Sequence, residues 1–114
     1  MAMDELDFID ETYVSIENEL TEKIYSDNFR KTEYEIYPES FGSRYTIWKN
    51  FETFCAIRLI WDGKDSWFII EESPFSKNSE PDSWADLVIV PLDDSKMGLE
   101  YKQQIINDLI NEIK

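Results

Sequence analysis

Residues 57–70 read IRLIWDGKDSWFII, two apolar runs folded back on each other across Asp62-Gly63. An Asp-Gly pair between alternating hydrophobics is a strong hairpin signal, because a type I′ turn needs positive φ at both central residues. A two-residue loop sets Trp61 opposite Lys64, Ile57 opposite Phe68 and Arg58 opposite Trp67. A four-residue loop, DGKD, slips each pairing by two and leaves every side chain on its face. A three-residue loop would break that parity. With an even loop, one face carries Cys55, Ile57, Leu59, Trp61, Phe68 and Ile70. The other carries Phe54, Ala56, Arg58, Ile60, Trp67 and Ile69.

Both faces are largely apolar, which is unusual for an antiparallel pair wetted on one side. Three arrangements resolve this. Helices cover opposite faces, or the sheet curls around a core, or the helices share one face and leave the other for a partner. The second face has the composition of an interface centre, with Arg58 placed to lie over Trp67 in a cation–π contact. A homodimer through the sheet is one way to cover it.

The segments around the hairpin complete the pattern. Leu6, Ile9, Tyr13, Ile16, Leu20 and Ile24 recur at steps of three and four, one stripe of an amphipathic helix that stops near residues 26–28. Then TEYEIYPES alternates, with Tyr34 and Ile36 on one side and Glu35 and Tyr37 on the other. RYTIWKN, FCAIRLIWD and SWFIIEE follow as strands of a meander. Residues 73–83 are rich in Ser, Asn and Pro and form the longest loop. WADLVIVPL reads as a fifth strand that Pro91 ends. Asp93, Asp94 or Ser95 caps a final helix whose face is Leu99, Ile105 or Ile106, Leu109, Ile110 and Ile113. The expected architecture is α+β: an N-terminal helix, a five-stranded mainly antiparallel meander and a C-terminal helix, in a single domain over residues 1–114.

The 114 residues are 42% apolar with three glycines and four prolines, the composition of a globular chain. A chain of this size buries roughly 65% of its unfolded surface. One cysteine builds no disulfide framework, the first residues are acidic where a signal peptide is basic, and no apolar run approaches a membrane span. A cytoplasmic setting without membrane association is expected.

The net charge is −14, with nine acids against one lysine in residues 1–28. That field repels phosphate backbones, so direct nucleic-acid binding is not expected, and it attracts basic partners. The acids of the first helix that avoid its apolar stripe are Asp4, Asp7, Glu11 and Glu22 on one flank, with Asp10 and Glu17 on another. Together with Arg58 and Trp67 they are the candidate partner-binding residues.

Catalytic chemistry has little to stand on. The chain has no histidine, which removes the commonest general base, the histidine-dependent nucleophiles and histidine metal sites. Cys55 lies in an apolar strand and reads as a small buried hydrophobe. Asp62 and Asp65 lack the spacing of a calcium loop and belong to a turn. Glu71 and Glu72 are adjacent in a strand and point to opposite faces. Gly42, Gly63 and Gly98 are isolated, so no phosphate loop forms. No catalytic, cofactor or metal residue is assigned.

The expectation is therefore a non-catalytic acidic protein-binding module that neutralises a basic partner. Toxin-immunity proteins and secretion chaperones are similar to it in size and charge only. The alternative is a small-ligand binder, with a concave sheet lined by Trp48, Trp61 or Trp67 and closed by the 73–83 loop.

Overall fold

The computed structural model describes residues 5–113. Helix α1 (Glu5–Tyr25) opens with Glu5 and Asp7 at the positive end of its dipole. It ends as the SDN stretch leads one to expect. Asn28 takes a left-handed backbone (φ 70°), Phe29 N–H donates to Ile24 O (3.2 Å) and Asn28 N–H to Tyr25 O (3.0 Å), a Schellman cap.

Five strands follow: β1 (Arg30–Tyr37), β2 (Ser43–Asn50), β3 (Cys55–Asp62), β4 (Trp67–Pro74) and β5 (Ala85–Pro91). They pair antiparallel in the order β1-β2-β3-β4-β5. Helix α2 (Leu99–Ile110) closes the chain. The α+β architecture stands as the sequence implies.

Of the three arrangements, the placement of both helices on one face is the one observed. Both helices lie on the face of Trp48, Ile57, Leu59, Trp61, Phe68 and Ile70, and one cluster joins them to Ile16, Leu20, Ile105, Ile106 and Leu109. The buried arc of α1 is broader than one stripe, because the helix touches the sheet and α2 together. Phe8 is therefore buried and stacks on Tyr101 (centroids 6.0 Å apart), whereas Leu6 is exposed. In α2 both Ile105 and Ile106 are buried and Leu99 lies outside the core.

The α2 cap differs from expectation as well. Asp93 caps a short 3-10 turn (Asp94–Lys96) by accepting the Ser95 N–H, and α2 begins after Gly98 without a side-chain cap.

The hairpin keeps its faces but not its register. The observed loop is Gly63–Ser66, with Asp62 opposite Trp67 and Trp61 opposite Phe68. Asp62 Oδ1 accepts the N–H groups of Lys64 (3.1 Å) and Asp65 (3.2 Å), and Ser66 takes the left-handed step (φ 59°) in place of Asp-Gly. Gly63 is required for close approach instead: a Cβ there would lie 2.2 Å from the Phe41 carbonyl oxygen.

The β2–β3 turn repeats this plan. Asn50 Oδ1 accepts from Glu52 N–H (2.8 Å) and Thr53 N–H (3.1 Å), and the left-handed step falls on Phe54 (φ 57°). A bulky residue in that conformation costs roughly 1 kcal/mol. Local backbone preference therefore does not explain why the last residue of this turn is phenylalanine.

Candidate functional site

The helix-free face of the sheet divides into two halves. At the end near the β2–β3 turn, the connection 75–84 folds over it. Lys49 Nζ holds Glu80 Oε2 at 2.6 Å, and the Arg58 guanidinium lies 4.1 Å from the Trp84 ring centroid. The expected stack of Arg58 on Trp67 does not form. The observed register sets Arg58 opposite Glu71 and Trp67 opposite Asp62, so the aromatic partner arrives from the loop instead. Arg58 Nε and Nη2 both donate to Glu71 Oε1, at 2.9 and 2.6 Å.

Glu71 in turn meets Asp86, opposite it on β5. Burial raises the Glu71 carboxyl above its usual range and Asp86 adds to the rise, against the pull of Arg58. This carboxylate has a neutralising partner, as a structural ion pair does.

The other half of the face is bare. Trp67 on β4, Ile89 on β5 and Tyr37 on β1 are each 36–40% exposed, although strand parity sets them on one side with Tyr45 and Ile60. Tyr37 and Tyr45 stack at 6.4 Å, and the Tyr45 hydroxyl donates to Glu33. That bond, ahead of burial, raises the Tyr45 hydroxyl pKa above its ordinary value. Glu35 on β1 lies in the same cross-strand row as Tyr45, Ile60 and Ile89, whereas Glu33 and Asp86 lie in the adjoining row, with Arg58 and Glu71.

The candidate acids of α1 separate by flank. Asp7, Glu11 and Glu22 are exposed and join no ion pair among the described residues. Asp10 and Glu17 turn instead toward β1 and β2. Asp10 Oδ1 holds Arg44 Nη1 at 2.7 Å, and Glu17 accepts the Thr46 hydroxyl (2.7 Å) with Lys31 3.7 Å away. They anchor the helix. Asp4 lies outside the described residues.

The tryptophans offered as alternative walls of a pocket lie on different faces. Trp48 and Trp61 are buried under the helices, Trp48 donating its indole N–H to Thr21 Oγ1 (3.0 Å), whereas Trp67 is on the opposite face. A depression of about 710 Å³ lies elsewhere, between the β2–β3 turn and residues 75–80. Its aromatic walls, Phe51, Phe54 and Phe75, were not among the candidates, though the pair of phenylalanines in NFETF is an unusual content for a turn.

Cys55 is half-buried, and its thiol pKa is raised by burial and by Glu72, so it is held in the neutral form. Among the described residues, no three acidic or cysteine side chains are grouped to hold a metal ion, and no helix is long and apolar enough to cross a membrane. No family model, curated protein or solved structure matches this chain, so the site rests on its own geometry.

Proposed function

We propose that this protein is a non-catalytic binding module that holds a basic protein against the bare half of its sheet, in a cytoplasmic setting. The observation that carries the proposal is the placement of both helices on one face. It leaves Tyr37, Trp67 and Ile89 exposed on the other, with Glu35 beside them and the Glu33 and Asp86 carboxylates in the next row. Aromatic centres with a charged margin suit an interface whose affinity comes from the rings and whose on-rate comes from the acids. Asp7, Glu11 and Glu22, on the far side of the molecule, contribute only the long-range field that draws a cation-rich partner in. A second copy of this chain fits less well, because two chains of net charge −14 would be brought together.

The test is affinity capture at low and high salt by the wild type, Trp67→Asp and the double variant Glu33→Lys/Glu35→Lys, with light scattering on each. The wild type should retain a discrete basic protein, Trp67→Asp should lose it, and the charge reversal should slow its association. A homodimer that Trp67→Asp dissolves would overturn the proposal, as would capture indifferent to both substitutions.

A further inference from the structure

The depression at the β2–β3 end of the sheet has a composition that the protein-binding face does not account for. Its volume of about 710 Å³ falls in the range of small-molecule sites, roughly 300–1,000 Å³. Three phenylalanines form the apolar part. Phe75 meets Phe51 edge-on at 5.6 Å and Phe54 at 5.5 Å, so one ring bridges the loop and the turn. Phe51 is nevertheless 61% exposed and Phe54 37%. The left-handed backbone at Phe54 is a place where Gly or Asn would be easier. A ring kept there against backbone preference, and left in solvent, marks a surface that something else covers.

The polar part is cationic. Lys49 and Lys77 line the depression against the single acid Glu80, in a chain whose net charge is −14. Remote acids are screened beyond about 8 Å at physiological salt, so the local sign governs what approaches. Lys49 is held in place: its side chain is 14% exposed and its Nζ sits 5.4 Å from the Phe75 centroid. Its partner is not. Glu80 reaches the ammonium at 2.6 Å from an exposed loop, with 82% of its own side chain in solvent. A carboxylate thus already occupies the position beside the rings, and it belongs to a residue free to swing away.

We propose that this depression binds a small carboxylate with an apolar body, an arylalkanoate or medium-chain alkanoate. Its tail lies on Phe51, Phe54 and Phe75, and its head group displaces Glu80 from Lys49. The site is distinct from the bare half of the sheet, and its test uses small molecules alone, so either proposal fails without the other.

The experiment is a titration of the whole chain with 4-phenylbutyrate and decanoate, followed by calorimetry and by amide shifts, with 4-phenylbutanol as the uncharged control. Saturable binding should move the amides of residues 51–54 and 75–80. The alcohol should bind about tenfold more weakly, the loss expected of one charge-assisted hydrogen bond. Lys49→Met should abolish that preference for the acid. Glu80→Gln should strengthen acid binding severalfold by freeing the ammonium. Phe54→Gly, which suits the local backbone and should stay folded, should lose both ligands, and Trp67→Asp should bind both as the wild type does. Absence of saturable binding, equal affinity for acid and alcohol, a preference that survives Lys49→Met, or shifts confined to another surface would each overturn the assignment.

Discussion

The two faces of this sheet are built from the same residue types and end in different physical states. On one, Trp48, Leu59, Phe68 and Ile70 are sealed under two helices. On the other, Trp67, Tyr37 and Ile89 remain in contact with water although strand pairing sets them just as firmly. Alternation within the strands does not distinguish the two. The difference lies in where the helices go, and α1 is tied to its side by Asp10–Arg44, by Glu17–Thr46 and by the Tyr13 hydroxyl, which hydrogen-bonds Thr46 Oγ1 at 2.7 Å and donates to Leu59 O at 3.3 Å. Hydrophobic composition measures what a face could bury. The polar contacts of α1 record which face was chosen.

Replacing one tryptophan on each side separates the two faces most strongly. Trp48→Ala should lower the unfolding free energy by roughly 3–5 kcal/mol, the cost of a large core cavity. Trp67→Asp should cost less, about 1 kcal/mol, the centre of the range for single substitutions. Urea denaturation followed by circular dichroism reads both. Equal losses would mean that the second face is packed like the first.

A smaller effect separates the loop-covered half of the open face from the bare half. Because the Glu71 carboxyl is raised, the native state keeps its proton after the unfolded chain has released it near pH 4.3. Its contribution to stability therefore falls as pH rises from about that unfolded value through the raised native one. Stability measured from mildly acidic to neutral pH should decline less steeply in Glu71→Gln than in the wild type, whereas Trp67→Asp should leave the slope near neutrality unchanged. Parallel profiles for Glu71→Gln and wild type would remove Glu71 from the account.

The smallest effect lies on the sealed side. The Thr12 hydroxyl is buried with no hydrogen-bond partner among the described residues. Thr12→Val keeps the shape and deletes the unsatisfied group, and should raise stability by up to about 1 kcal/mol. A loss of stability in the same denaturation assay would show that the hydroxyl is satisfied after all.

How much of this was legible beforehand follows from which properties are periodic. Strand faces were readable because every even loop preserves parity, so Ile57, Leu59 and Phe68 fell together whichever turn formed. The register was not readable. Asp62 has two uses, as a residue of an Asp-Gly turn or as the acceptor that folds Lys64 and Asp65 back, and the second lets Ser66 take the left-handed step. The partner of Arg58 was missed for a related reason: Trp84 arrives from an irregular segment whose path no period encodes. Among the acids of α1, spacing placed Asp10 and Glu17 on their own flank, yet Arg44, which pairs with Asp10, and Thr46, which hydrogen-bonds Glu17, come from a strand far along the chain.

The strand order has a consequence for how the chain reaches this state. Every strand pairs with its neighbour in sequence, across connections of at most ten residues (75–84). Closing such short loops costs little entropy, so the ribbon zips locally. The contact between α1 and α2 is different, because it joins the first helix to the last across the whole sheet. The ribbon rests on local pairings and the clasp on a distant one, and without that clasp part of the inner face would be as bare as the outer one.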